Sequence, residues 1–157
     1  MSWGSWLIWG FGGTVVLTAM LAGSQGLGLT RMNIPYLLGT LLTPNRDRAK
    51  IYGVGLHLLN GWAFSLIYVA AFHGAGRVTP WFGAAIGLVH AAFVLMVGLP
   101  VLPGLHPRMA SDLQGPTVVR QLEPPGFLGR NYGVGTAVSV LVAHVVFGAV
   151  LGLFYRM

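Results

Sequence analysis

Between Ile51 and Phe72 the chain reads IYGVGLHLLNGWAFSLIYVAAF, 22 residues without one Asp, Glu, Lys or Arg. An apolar helix of about 20 residues crosses the hydrocarbon core of a bilayer, which is the one solvent that suits such a surface. Three further windows lack charge, residues 1–30, 78–107 and 131–155. Each has room for one span and none clearly for two. Spans are therefore expected near Trp6–Leu27, Ile51–Phe72, Trp81–Leu102 and Tyr132–Phe154, within a single integral membrane domain covering residues 1–157. Charged residues make up only 8% of the chain, against roughly a quarter in soluble domains, too few to cover a surface in water. The fold class expected is all-α, a four-transmembrane-helix bundle.

The first span reads as a retained helix rather than a cleaved signal, because Met1–Ser5 holds no Lys or Arg. With no cysteine, disulfides and thiolate metal sites are excluded. The net charge of +6 is distributed as topology demands. Arg31, Arg46, Arg48 and Lys50 lie between spans one and two, and Arg108, Arg120 and Arg130 between spans three and four. Only Arg77 and Arg156 fall on the opposite side. By the positive-inside bias both termini face away from the cytoplasm, and the basic loops meet anionic lipid headgroups. No basic patch interleaved with aromatics suggests nucleic acid.

Trp3, Trp6 and Trp9 open span one, as an interfacial anchor does. Thr14 and Gln25 belong to a face with Gly10, Leu17, Leu21 and Ser24, which is expected to point into the bundle interior. Ile34–Leu42 is apolar but too short to span, so a brief interfacial segment is expected there. Thr43-Pro44 reads as the N-cap and first residue of helix two. At 100° per residue, Gly53, His57, Asn60, Gly61, Phe64 and Tyr68 share one face of span two, with Leu59, Trp62 and Leu66 opposite. Gly83/Gly87 in span three and Gly148/Gly152 in span four are GxxxG pairs that permit close helix approach. Pro100 and Pro103 are expected to bend or end span three. The stretch Pro103–Arg130 then reads as a long Pro-rich cytoplasmic loop, of a length that is usually functional or disordered.

The halves echo one another. His57–Gly61–Tyr68 returns as His144–Gly148–Tyr155, and Tyr52-Gly53-Val54-Gly55 as Tyr132-Gly133-Val134-Gly135. Arg31-Met32 follows span one as Arg108-Met109 follows span three. Two helical hairpins in parallel repeat are expected. His57, His90 and His144 then fall near mid-bilayer, while His73 and His106 fall at solvated loop ends.

A neutral imidazole in hydrocarbon needs a donor and an acceptor partner, so three at one depth mark a candidate site. They are read as ligands of a tetrapyrrole (haem b or chlorin), as part of a proton or cation path, or as a polar core that fixes packing. No HExxH, nucleophile elbow or Walker loop is present, and the three acids all lie in loops. The functional expectation is a non-catalytic accessory subunit of a larger membrane complex, in contact with other membrane subunits or with copies of itself. The alternatives are a tetrapyrrole-binding subunit for electron or energy transfer, and a small oligomeric transporter.

The glycine-threonine first span, the basic loop ending in TPNRDRAK and the HLLNGW of the second span resemble bacterial four-helix membrane proteins of unassigned function. The resemblance covers most of the first half and thins after Arg108. It implies a bacterial inner-membrane location and carries no activity or functional residue across.

Overall fold

The computed structural model describes residues Met1–Met157; its regular elements are all helices, with no strand. Its elements are α1 (Trp3–Gly26), α2 (Ile34–Leu42), α3 (Arg46–Ala75), α4 (Pro80–Phe93), α5 (Leu99–Leu105) and α6 (Gly135–Phe154). A π-helical turn, Val94–Gly98, joins α4 to α5 in one rod, Pro80–Leu105. With that rod counted once, four helices are long and apolar enough to cross a membrane.

Local chemistry sets most boundaries. Thr79 caps α4 through the Phe82 N–H, with Pro80 at the first helical position. Gly76 ends α3 in the left-handed conformation (φ 64°), and the Arg77 N–H returns to the Phe72 carbonyl at 3.2 Å. Helix α3 starts two residues later than Thr43-Pro44 implied. Asn45 is its cap, accepting from the Asp47 and Arg48 N–H groups, while Thr43 ends α2. Neither Pro100 nor Pro103 stops the third span. The π turn just before them shifts the bonding to i→i+5, so that Leu99 donates to the Val94 carbonyl and the rod continues to Leu105.

Two faces result. Ser2 N–H donates to the Tyr155 hydroxyl and Arg156 N–H to the Ser5 hydroxyl, so both termini share a face with the α3–α4 turn. The other face carries α2, the 106–134 segment and seven of the nine Lys and Arg residues.

The spans stand in the lateral order α3, α1, α6, α4, and the row curves without closing. Helices α4 and α6 meet at the backbone. A Cβ on Gly83 would collide with the Gly148 carbonyl, one on Gly148 with the Gly83 carbonyl, one on Gly87 with the His144 carbonyl, and one on Gly152 with the Thr79 carbonyl. Both GxxxG pairs therefore lie at one crossing. Gly61 makes the milder crossing of α3 with α1, filled by the Thr14 methyl. The short helix α2 is held as closely on α3, since Gly39 has no room for a Cβ against the Ala49 carbonyl, nor Gly53 against that of Pro35. By contrast the backbones of α3 and α4 stay apart, and side chains alone bridge them.

The tryptophans do more than anchor. Trp6 stacks on Trp62 at 5.2 Å and donates its indole N–H to Ser65 (2.8 Å), while Trp9 stacks on Phe154 at 4.3 Å. Trp62, expected to face lipid, is half-buried by this contact. The 106–134 segment is packed rather than loose. Met109 and His106 are buried, and Ala110 and Leu122 are hydrogen-bonded at 3.0 Å. The fourth span begins at Gly135 instead of Tyr132, because Tyr132 closes a 3₁₀ turn and Gly133 (φ 117°) breaks the helix. The first Tyr-Gly-Val-Gly copy is helical and the second is a turn.

Candidate functional site

His57 on α3, His90 on α4 and His144 on α6 converge in the interior. The His90 and His144 rings meet edge to face, with centroids 4.8 Å apart.

Hydrogen bonding fixes the tautomers. The Thr18 hydroxyl spends its one proton on the Thr14 carbonyl (2.8 Å), so His57 Nδ1–H donates to the Thr18 oxygen at 2.9 Å. His144 Nδ1–H donates to the Val140 carbonyl at 2.8 Å. Tyr68 is 1% exposed, and its hydroxyl has one partner, His90 Nδ1 at 3.0 Å. A buried phenol proton needs an acceptor, so Tyr68 donates and the His90 proton sits on Nε2. Two bare Nε2 lone pairs, on His57 and His144, thus share the site with one Nε2–H on His90. None of the three Nε2 atoms has a protein partner.

His57 and His144 are buried, but His90 lines a groove of about 320 Å³ between α3 and α4. Its other walls are Phe64, Ile67, Tyr68, Ile86, Val89 and Phe93. The groove exists because the row of helices does not close. At this depth acyl chains offer the His90 N–H no acceptor.

The remaining sequence-selected residues divide. Thr14 is fully buried, its hydroxyl turned back to the Gly10 carbonyl at 2.8 Å. Asn60, expected in the bundle interior, is exposed, because α1 takes the Gly61 side of α3 and leaves its neighbour outside. Gln25 lies at the end of α1 rather than within the bundle, and its Oε1 accepts from Asn33 at 2.9 Å. Ser65, absent from the expected set, is fully buried. Its four-residue spacing from Gly61 was the available signal.

His106, expected at a solvated loop end, is instead 1% exposed. Its Nε2–H faces the Leu37 carbonyl at 3.1 Å and Thr40 Oγ1 at 3.2 Å, and Nδ1 accepts the Arg108 N–H at 3.0 Å. Arg108 in turn donates to the Thr40 and Leu41 carbonyls at the end of α2. Burial pushes the His106 pKa down, and the charges of Arg108 and Arg120 act in the same sense against the Leu37 hydrogen bond. Asp112 and Glu123 do not join it. No group of three or more His, Asp or Glu side chains is arranged to hold a metal ion.

Comparison with protein-family models, with curated proteins and with solved structures finds no match. The chemistry rests on the site itself. It can accept two hydrogen bonds, donate one, and admit a partner from one side.

Proposed function

We propose that the protein is a non-catalytic subunit of a larger membrane assembly, and that a transmembrane helix of another subunit fills the α3–α4 groove. The observation that carries this reading is that His90, whose Nε2 has no protein partner, lines that groove. A hydroxyl or backbone carbonyl on a packed helix supplies the missing acceptor, whereas lipid does not. The finer topology belongs to the same reading: both termini non-cytoplasmic, the basic face toward the cytoplasm, and a bacterial inner membrane as host. Seven cations on one face support that orientation. Two parallel-repeat hairpins, α1–α3 and α4–α6, are supported by the matched burial of His57, Gly61 and Tyr68 with His144, Gly148 and Tyr155. The asymmetric row and the differing Tyr-Gly-Val-Gly copies count against a strict two-fold.

A second reading follows from the same nitrogen. With its proton lost or moved, His90 Nε2 is a single axial ligand for a haem or chlorin lying in the groove. Bis-imidazole ligation is not favoured, because the touching rings of His90 and His144 leave no gap for a flat macrocycle. Conduction has less support, since the bonded pairs Thr18–His57 and Tyr68–His90 are not linked to either face.

The test is a photoreactive amino acid at Val89 in native membranes, with Leu59 on the lipid-facing side of α3 as control. Stoichiometric adducts with one partner protein from Val89 alone are expected. Lipid adducts alone from both positions, with a purified particle of one chain, would sink the subunit reading, and a Soret band in that particle would favour the tetrapyrrole.

A further inference from the structure

A recess of about 600 Å³, larger than the α3–α4 groove, lies on the loop-rich face and not in the membrane interior. It is enclosed by the end of α1, the first turns of α2 and α3, and the chain on either side of Glu123 and Tyr132. Three cations line it, Arg31, Arg46 and Lys50, against one carboxylate, Glu123.

That carboxylate is already engaged. Arg31 pairs with Glu123 at 3.4 Å, and its guanidinium also donates to the Asn131 carbonyl. The Tyr132 hydroxyl donates to the Glu123 carbonyl at 2.7 Å, and the phenol, its pKa pushed up to about 12 mainly by burial, stays protonated. Arg46 has no acidic partner. Lys50 has only Asp47, in an exposed pair of the kind that contributes little. Arg46 and Lys50 stand on successive turns of one face of α3. The Gln25 oxygen is taken by Asn33, so Gln25, which lines the recess, has its amide N–H₂ left to donate. The recess therefore sets three cations against one carboxylate, which Arg31 already engages.

A tetrahedral oxyanion satisfies such a set: guanidinium and ammonium grip separate oxygens, and the amide completes the contact. The volume exceeds what a bare ion needs. Exposed Leu27, Leu29 and Ile51 flank Gln25, Arg31 and Lys50 in sequence, which provides an apolar approach from the bilayer.

We propose that this recess is a binding site for a phosphate group, held by Arg46, Lys50, Arg31 and Gln25. An anionic phospholipid headgroup and a soluble phosphate compound offer the same chemistry. The site does not depend on the subunit reading, since it lies on the opposite side of the hydrocarbon from the α3–α4 turn and shares no residue with the groove.

The experiment reconstitutes the whole chain in phosphatidylcholine nanodiscs. It measures the immobilised fraction of spin-labelled phosphatidylglycerol, with and without millimolar inorganic phosphate. The variant R46Q/K50Q is compared with R48Q/R130Q, which removes the same charge from exposed positions outside the recess. Losing one charge-assisted hydrogen bond to the phosphate costs about tenfold in affinity, so the first pair is expected to lose about 100-fold and the second, which makes no such bond, far less. Both pairs are exposed, and an unchanged Trp6–Trp62 fluorescence signature reports an intact fold. Competition by inorganic phosphate supports the site with a soluble ligand, and its failure supports it with the lipid as source. Equal loss in both double variants, or no selective retention of phosphatidylglycerol by the native chain, overturns the proposal.

Discussion

Replacing Gly83 by alanine tests the crossing that brings two of the histidines together. A Cβ there meets the Gly148 carbonyl carbon and oxygen and the Gly152 nitrogen, all backbone, so no side-chain rotation relieves the clash. The helices must separate instead, and Gly87 against His144 separates with them. In water the gain in helix propensity, about 1 kcal/mol, would offset part of this. In a bilayer α4 is helical whether or not the bundle has assembled, so that gain largely cancels. Overpacking then stands alone at about 2 kcal/mol, or about a 30-fold shift in the assembly equilibrium. Gly12→Ala is the matched control, because nothing lies within 4 Å of a Cβ at that position. Reversible unfolding in mixed detergent micelles, followed by tryptophan fluorescence, measures both. Equal stability of the two variants would refute backbone contact between α4 and α6.

Ser65→Ala removes the acceptor of the Trp6 indole and is expected to cost about 1–2 kcal/mol in the same assay, with a shifted indole N–H resonance; an unmoved resonance contradicts the bond. Stability of the loop-rich face should depend on His106. Its folded pKa is depressed below the unfolded value of 6.5. The contribution is therefore complete above about pH 6.5 and is lost as pH falls toward the lower folded value. Protonated Nδ1 would confront the Arg108 N–H, donor against donor. Hydrogen-exchange protection factors at Arg108 and Leu122, taken relative to the intrinsic rate at each pH, should fall on acidification in the native chain and not in His106→Asn; identical profiles would contradict the clamp.

Much of this was readable from residue types. Charge-free windows place the spans because lipid tolerates few ionised groups, and Gly83, Gly87, Gly148 and Gly152 announce a close crossing because only glycine lets backbones touch. Periodicity identifies an unusual face but cannot name the neighbour that covers it. Asn60 and Gly61 are neighbours in sequence, 100° apart around α3 and both within the expected face, yet one is exposed and the other pressed on Thr14. The choice depends on α1 standing beside α3, which no local pattern encodes. Pro100 and Pro103 suggested a helix end because a one-turn π insertion carries no sequence mark of its own. His106 lies at the end of a span in both readings. Its burial depends on α2 presenting the Leu37 carbonyl from some 70 residues upstream.

The most direct measurement is magic-angle-spinning NMR on the ¹³C,¹⁵N-histidine-labelled chain in lipid bilayers, where five imidazoles give a sparse spectrum. Convergence inside the membrane predicts a ring-to-ring cross-peak between His90 and His144, with His90 protonated at Nε2 and His57 and His144 at Nδ1. The cross-peak should vanish in His90→Phe. A native spectrum with no contact between these two rings would contradict the interior site on which the proposed function rests.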